Sequence, residues 1–301
     1  MLPVLFSIGP VTISSFGLFL SLGFIYGSFL VWRLARAWEL NEEKVLDLII
    51  LTFFGGLIGA RLFFVSLNWN FFSADLFKIL LLTKYPGMSF WGGFLGGWLT
   101  MFLFARRLKF NFLQIADLSA IGFLGGLVLA DVGCFLGGCG IGKLSNAFFA
   151  TTVVGVVGKR FPVQAIEALV SLYILVKMWP VATHFHNFGK VISLSLIYLG
   201  LLKLASEYFR AVNQGSYFLA LATLILGVVL YYKSSGKSIL TDLKLTLRFA
   251  IGLFTGTKSW KLILERIRKN WYNFKVSWNW KFKKVFKFLR RARVKPTPRD
   301  I

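Results

Sequence analysis

Residues 46–67 read LDLIILTFFGGLIGARLFFVSL and contain only two charged side chains, Asp47 at the start and Arg61 near the end. About 20 consecutive apolar residues make a helix long enough to cross a lipid bilayer, so this stretch predicts a transmembrane helix. A charged group inside such a helix is costly. Arg61 is therefore a candidate functional residue, with structural ion pairing as the competing explanation.

The composition of the whole chain is typical of a membrane protein. Of its 301 residues, 56% are hydrophobic, 17% are aromatic and 16% are charged. These proportions do not fit a soluble globule, whose surface must be solvated. The length allows several spans of about 20 residues and one further element, and it leaves little room for a second soluble domain.

Similar apolar runs, separated by short charged stretches, predict seven membrane spans. We place them near residues 13–34, 46–67, 88–105, 113–131, 162–179, 188–208 and 216–232. Basic residues follow the first, third and seventh spans and flank the gap after the fifth, at Arg33, Arg36, Arg106, Arg107, Lys109, Lys177 and Lys190 and in the tail. Because basic loops remain in the cytoplasm, the N-terminus is expected outside and the C-terminus inside. The predicted fold class is an all-α polytopic membrane protein with about seven transmembrane helices.

Residues 233–301 form a tail that differs from the transmembrane domain predicted for residues 1–232. The tail holds 19 of the 35 Lys and Arg residues and 3 of the 12 Asp and Glu residues. Its apolar residues recur in steps of mostly four and three, as on one face of a helix, at Trp260, Leu264, Ile267, Trp271, Phe274, Trp278, Phe282, Val285 and Leu289. We predict a basic amphipathic helix in the cytoplasmic interface, where each basic residue near anionic lipid contributes about 1 kcal/mol. A coiled-coil or partner helix is the alternative, and nucleic acid is not the expected partner.

The sequence predicts no metal site and no cofactor. Cys134 and Cys139 lie in a glycine-rich segment, but His184 and His186 are elsewhere in the chain, so too few metal ligands come together. Both histidines fall in a predicted cytoplasmic loop and are expected at the surface. Asp117, at the start of the fourth span, is expected to be a helix cap or an ion-pair partner.

The polar residues within the predicted spans gather in the outer half of the bundle. They are Arg61 in the second span, Asp131 in the fourth, Gln164 and Glu167 in the fifth, and Lys203, Glu207 and Arg210 in the sixth. Charges that only join helices could lie at any depth, whereas a site for an anionic lipid head group needs cations and acceptors near one leaflet. The clustering favours a shared head-group site, although each residue taken alone is as readily a structural ion-pair partner.

The cations of this group are candidate phosphate ligands. Arginines can bind a phosphate bidentately, and Lys203, Glu207 and Arg210 stand at i, i+4 and i+7 on one helix face. Two glycines near the start of the third span arrive at the same depth, Gly92 and Gly93. They permit irregular backbone beside a cavity, while close helix packing is the ordinary explanation for any single glycine.

Four short motifs, in order along the chain, resemble those of a known family. They are Leu5–Val11 with Phe16-Gly17, Gly87-Met88-Ser89-Phe90 with Gly92-Gly93, Pro162–Glu167, and Glu207-Tyr208-Phe209-Arg210. The third is similar to a Pro-Ser-Gln-x-x-Glu pattern and the fourth to a Glu-Phe-Phe-Arg ending. Over residues 4–232 the chain thus resembles the bacterial prolipoprotein diacylglyceryl transferases, which have seven spans and an external N-terminus. The tail is outside the likeness.

The chain also departs from that family's pattern. The family commonly has a histidine where Trp91 stands, an arginine where Asp131 stands, and often an asparagine where Cys134 stands. A tyrosine of the first span is replaced by Phe16, and an arginine of the sixth by Lys203. No family role is therefore transferred to Trp91, Asp131 or Phe16.

The resemblance implies an enzyme of lipoprotein biosynthesis at the outer face of the bacterial plasma membrane. It would transfer a diacylglyceryl group from phosphatidylglycerol to the lipobox cysteine of a preprolipoprotein. The thiolate is the nucleophile, so the site must deprotonate a thiol with an ordinary pKa of about 8.5 and stabilise the departing phosphate. The alternative is a catalytically lapsed relative that binds or moves an anionic lipid, which the absent histidine and arginine favour.

The polar residues can be given roles in that reaction. Without the histidine, Glu167 or Glu207 is the candidate base, and Arg61 joins the other cations in a candidate electrostatic clamp. The residues expected to contact the substrate are Arg210, Lys203, Gln164, Gly92 and Gly93.

Overall fold

A computed structural model divides the chain into two compact units, Met1–Gly236 and Lys237–Ile301. The described residues are 2, 4–8, 11–73, 75–81, 85, 87–153, 155–211 and 216–236 in the first unit, and 265, 268–269 and 271–272 in the second. Those few tail positions are helical. Otherwise the predicted amphipathic stripe from Trp260 to Leu289 lies outside the described residues.

Helices make up nearly all of the described part of the first unit. In chain order they are α1 (Ser15–Ala37), α2 (Glu42–Leu67), α3 (Trp69–Phe72), α4 (Phe90–Arg107), α5 (Phe112–Gly137), α6 (Val163–Thr183), α7 (Lys190–Phe209) and α8 (Ser216–Ser235), with a 3₁₀ turn at Leu76–Ile79. Each long helix overlaps one predicted span. Two short antiparallel ribbons complete the fold, β1 (Val4–Ile8) with β2 (Val11–Ser14) and β3 (Thr151–Thr152) with β4 (Lys159–Arg160).

Local capping signals set several helix boundaries. The side chains of Ser14, Asn41 and Asn111 accept hydrogen bonds from backbone N–H groups in the first turns of α1, α2 and α5. Helix α5 continues beyond the predicted limit of residue 131 and ends before Gly138, which adopts a left-handed φ of 76°. Asp131 therefore lies within a helix and not at its end.

Within the part of the chain that the structure describes, six helices are long and apolar enough to cross a membrane, by length and composition: α1, α2, α5, α6, α7 and α8. Helix α4 does not meet the same standard, because its four glycines and its terminal Arg106 and Arg107 lower its mean hydropathy. The predicted helical multi-pass membrane architecture is confirmed. The count of seven spans and the orientation stay predictions.

Glycines bring α2 and α4 into backbone contact. A Cβ atom built at Gly59 would lie 2.6 Å from the carbonyl oxygen of Gly92 and 2.8 Å from the Cα of Gly96. Small residues at such crossings allow helices in a membrane to approach closely. Helix α4 is thus held against the second half of α2, and its first residue, Phe90, lies against Lys203 of α7.

The helices place different residues at the two ends of the bundle. At one end, which we call the Asp117 end, the guanidinium of Arg33 lies 5.7 Å from the ring centroid of Trp179. At the other, the Glu167 end, the start of α6 meets the end of α7. The predicted candidate site residues belong to the Glu167 end.

Asp117 organises the first of these ends. It is fully buried and accepts hydrogen bonds of 2.7 Å from the backbone N–H groups of Gly189 and Ile192, so it caps the first turn of α7. The Nε2 atom of His186 lies 3.4 Å from the same carboxylate, and the side chain of His186 is only 5% exposed. The capping or pairing role predicted for Asp117 is confirmed. The surface position predicted for His186 is wrong, because the loop folds its ring against Asp117 and Trp38.

Candidate functional site

Glu167 lies at the centre of a buried ionic cluster. It is 1% exposed, and its carboxylate accepts hydrogen bonds from Lys203 Nζ at 3.0 Å and from Arg210 Nη2 at 3.1 Å. Lys203 lies in α7 and Arg210 directly follows the last residue of that helix, and both side chains reach Glu167 of α6. Charges can be buried in this way because each compensates the hydration that the others lose. The structure therefore brings together three residues predicted to share a site.

Lys203 has a second neighbour besides Glu167. Its side chain is 4% exposed, and Nζ lies 4.1 Å from the ring centroid of Phe90, the first residue of α4. A cation over an aromatic face is electrostatically favourable. The start of α4 thus contributes an aromatic ring to the site.

The glycines of α4 have a different position. Gly92 packs against Gly59 and Phe63 of α2, and a Cβ atom at Gly93 would lie 3.4 Å from the Cβ of Ala60. Helix packing accounts for both glycines. Their predicted contact with a substrate stays a prediction.

Arg210 is positioned by the loop between α5 and α6. Backbone hydrogen bonds of 2.8 and 2.9 Å join its two neighbours in the chain to the loop residues Lys143 and Ile141. Its Nε atom lies 3.6 Å from Glu207 Oε1, and its side chain is 24% exposed. Arg210 is therefore the more accessible of the two cations that bind Glu167.

Gln164 supports the same loop. Its Nε2 atom donates a hydrogen bond to the carbonyl oxygen of Gly140, which has a left-handed φ of 66°. A side chain at Gly140 would collide with the Gln164 amide, so glycine suits this position for both reasons. Gln164 helps to place Arg210 through the loop, and its predicted contact with a substrate stays a prediction.

Arg61 lies in the same half of the bundle but has other partners. Its guanidinium donates four hydrogen bonds of 2.9–3.0 Å to backbone carbonyl oxygens of the segment that connects α2 to α4, those of Lys78, Ile79, Tyr85 and Gly87. It is 7% exposed and lies 5.2 Å from the ring centroid of Phe72. Among the described residues, no hydrogen bond or ion pair joins Arg61 to the cluster around Glu167. These contacts favour a structural role for Arg61, and its predicted catalytic role stays untested.

Among the charged residues around Glu167, three atoms are buried without a hydrogen-bond partner in the described part of the chain, Asp131 Oδ2, Glu207 Oε2 and Arg210 Nε. Asp131 is 7% exposed and interacts electrostatically with Lys203, Glu167 and Arg210. Buried polar atoms are normally paired, so such a group points to an interaction with something else. The sequence placed Asp131 among the polar residues of a shared site, because it is a charge inside an apolar span, but transferred no family role to it.

A disulfide lies next to this cluster. Cys134, in the last turn of α5, is bonded to Cys139, with the two Cα atoms 5.1 Å apart. The bond joins the end of α5 to the residue before Gly140, at the start of the loop that contacts the neighbours of Arg210. Within the described residues, no three His, Cys, Asp or Glu side chains are grouped as metal ligands.

An apolar groove runs along α6 and α7 from the cluster. It has a volume of about 360 Å³, and Glu167 and Ser206 lie at its polar part. Its walls are hydrophobic and aromatic side chains, including Val170, Tyr173, Ile174, Tyr198, Leu201 and Phe209. The site therefore combines a buried group of charges with a surface suited to hydrocarbon.

The fold and the site together define a class of protein, an integral membrane protein of helical type. Its buried ionic cluster and adjoining apolar groove suit a molecule that is both charged and hydrophobic. Residues 3–233 match the family described as prolipoprotein diacylglyceryl transferase. The chain belongs to this family. The match agrees with the resemblance found in the four sequence motifs.

Several relatives carry the name phosphatidylglycerol–prolipoprotein diacylglyceryl transferase. The one from Rickettsia rickettsii is 32% identical over 216 residues, which cover 69% of this chain and 83% of the relative. The one from Finegoldia magna is 25% identical over 80% of this chain and 99% of the relative. The one from Deinococcus radiodurans is 37% identical, over 45% of this chain and 41% of the relative.

Proposed function

We propose that this protein transfers a diacylglyceryl group from phosphatidylglycerol to the lipobox cysteine of a preprolipoprotein, the first step of lipoprotein maturation. The names of its relatives and its family membership support this activity. The observation that carries the proposal is the junction of the ionic cluster with the apolar groove. A phospholipid needs both, because its phosphate is charged and its acyl chains are hydrophobic.

The cations of the cluster fit the phosphate end of such a substrate. The side chain of Arg210 is 24% exposed, so its guanidinium can bind a phosphate oxygen without leaving Glu167. Lys203 adds a second positive charge from the buried side. Glu167 holds both cations in place, and both of its oxygens already accept hydrogen bonds. It is therefore better suited to anchor the clamp than to act as the base.

The reaction forms one bond and breaks one. The cysteine sulfur bonds to the glyceryl carbon, the bond from that carbon to the phosphate oxygen breaks, and its electron pair stays on the phosphate. The leaving glycerol phosphate thereby gains a negative charge, which nearby cations stabilise. The thiol proton must pass to a carboxylate with a free oxygen, and two carboxylates of the site have one, Glu207 at Oε2 and Asp131 at Oδ2.

The proposed location of the site is the outer face of the bacterial plasma membrane. Arg36 and the Arg106-Arg107 pair lie in the last turns of α1 and α4, and basic residues at helix ends are typical of the cytoplasmic side. The Cys134–Cys139 disulfide lies at the Glu167 end, and disulfides persist in oxidising compartments. Both observations support an external Glu167 end.

The activity can be tested directly with purified protein, phosphatidylglycerol vesicles and a lipobox peptide. We expect a thioether-linked product by mass spectrometry, and its loss in Arg210→Ala and Glu167→Ala. Lys177→Ala, an exposed cation on the opposite half of α6, is the matched control and should keep full activity. Full activity of both site variants would end these assignments. Binding of phosphatidylglycerol without any product from the unaltered protein would instead favour the lapsed, lipid-binding relative.

A further inference from the structure

The carboxylates of the cluster differ in their partners. Glu167 pairs with Lys203 and Arg210, and Glu207 pairs with Arg210. Asp131 forms no ion pair within the described residues, although the charges of Glu167 on α6 and of Lys203 and Arg210 on α7 act on it. Its Oδ2 atom is buried and has no hydrogen-bond donor there. Asp131 is thus the one carboxylate of this cluster that can gain a proton without breaking an ion pair.

Protonation of the other carboxylates would disturb the clamp. A proton on Glu167 would weaken the contacts that hold both cations, and a proton on Glu207 would discharge the partner of Arg210. A buried cation that loses its partner is strongly destabilised. The requirement that Arg210 and Lys203 remain in place while the phosphate departs therefore disfavours both glutamates as the proton acceptor.

The balance of charge points in the same direction. With all five side chains ionised, the two cations face three carboxylates, which leaves one negative charge in excess. The phosphate gains a further negative charge when the carbon–oxygen bond breaks. A proton taken up by a carboxylate in the cluster removes one negative charge at that moment and lowers the repulsion.

We infer that Asp131 is the catalytic base that accepts the thiol proton of the lipobox cysteine. The inference rests on the proposed transferase function and adds to it the identity of the base. The sulfur bonds to the glyceryl carbon, the electron pair of the broken carbon–oxygen bond remains on the phosphate, and the proton moves to Asp131 Oδ2. The released phosphate monoester, whose second pKa is about 6, then takes up the proton and restores the carboxylate.

The test compares two nucleophiles in the same vesicle assay. One peptide carries the lipobox cysteine and the other carries selenocysteine, whose selenol is already ionised at neutral pH and needs no base. Asp131→Asn keeps the size of the side chain but cannot accept the proton. We expect its rate with the cysteine peptide to fall by about 100-fold or more, and its rate with the selenocysteine peptide to stay within about threefold of the unaltered protein.

Glu207→Gln is the matched control, because it makes the same change at the other carboxylate with an unpaired oxygen. It removes one of the two carboxylate partners of Arg210, so its rate should fall to a similar extent with both peptides. An equal loss with both peptides in a folded Asp131→Asn protein, no loss with either, or selective rescue of Glu207→Gln by selenocysteine would overturn the inference.

A second variant covers the case in which Asp131→Asn does not fold. Asp131→Ala leaves space for a small carboxylate. Added formate should raise the rate of this variant with the cysteine peptide at least tenfold. Absence of restoration in a folded Asp131→Ala protein would contradict the assigned role. Absence of product from the unaltered protein with both peptides is a separate result, because it removes the proposed transferase function and the inference with it.

Discussion

At the scale of single residues, Glu167 has two tasks in the structure. It binds Lys203 and Arg210, and through them it joins the start of α6 to the end of α7. Removing one partner of a buried ion pair typically costs about 3–5 kcal/mol, because the remaining charge is left uncompensated. If a Glu167 variant loses activity, its free energy of unfolding must therefore be measured as well, to separate a loss of stability from a loss of catalysis.

Arg61 provides a test of a structural against a catalytic role. Lysine keeps the charge, but it lacks the planar fork that reaches four carbonyl oxygens, so Arg61→Lys should leave several of them unpaired. We expect the free energy of unfolding to fall by about 2–3 kcal/mol. Thermal unfolding in detergent measures this loss, and limited proteolysis should show earlier cleavage between residues 78 and 87.

The control for Arg61→Lys is the same substitution at Arg106, in the last turn of α4. There the guanidinium lies 4.0 Å from the ring centroid of Phe102, and we expect little change in stability. A stable Arg61→Lys protein that has lost transfer activity would support the catalytic role predicted from the sequence.

At the scale of elements, the crossing of α2 and α4 depends on contact between their backbones. Glycines on both helices form this contact, and any side chain at the closest positions must separate the helices. The position of α4 in turn sets the position of Phe90, whose ring lies over Lys203. The geometry of the ionic cluster is thus coupled to a helix contact that contains no charge.

Two glycine variants separate packing from substrate contact. In Gly59→Ala the new methyl group would meet backbone atoms of Gly92 and Gly96 at 2.6 and 2.8 Å, and we expect a loss of about 1–3 kcal/mol in unfolding free energy. In Gly93→Ala the closest atom would be 3.4 Å away, so stability should change little. Thermal unfolding of both variants measures the difference.

Gly93→Ala also tests the predicted contact of this glycine with a substrate. We expect normal transfer activity, because packing against α2 accounts for the residue. A stable variant with a much higher KM for phosphatidylglycerol would show instead that the substrate reaches Gly93.

At the scale of the whole molecule, the bundle has two chemically different ends. The Asp117 end carries arginines, tryptophans and a capped helix start, and the Glu167 end carries the ionic cluster and the disulfide. Because the long helices alternate in direction, residues far apart in the chain meet at each end. The proposed orientation puts the Glu167 end outside the cell.

Cysteine labelling tests this orientation. Phe148, in the loop between α5 and α6, and Phe185, in the loop before α7, are both fully exposed, at 99% and 103% of the reference surface. A membrane-impermeant maleimide should label Phe148→Cys in intact spheroplasts and Phe185→Cys only after the membrane is permeabilised. The unaltered chain is the control, since Cys134 and Cys139 are bonded to each other. Labelling in the opposite order would reverse the topology and contradict an external site.

The helices and the motif positions could be predicted from the sequence because both depend on local patterns. Runs of apolar residues located every long helix, and the Pro162–Glu167 and Glu207–Arg210 motifs located the two halves of the cluster. The separate setting of Arg61 could not be predicted, because its partners are backbone carbonyl oxygens of a segment about 20 residues away. The place of His186 against Asp117 escaped prediction for the same reason, since it depends on how a loop folds back.

Hydrophobic runs and short motifs are properties of consecutive residues, so the sequence was enough to identify a helical membrane protein of the prolipoprotein diacylglyceryl transferase family. Which charges meet depends on the tertiary structure. It pairs Glu167 with Lys203 and Arg210 and binds Arg61 to a connecting segment. Among the residues that the structure describes, Asp131 has no ion-pair partner. The reason is that ion pairing depends on distances of a few ångströms between side chains on different helices, and these distances are set by helix packing.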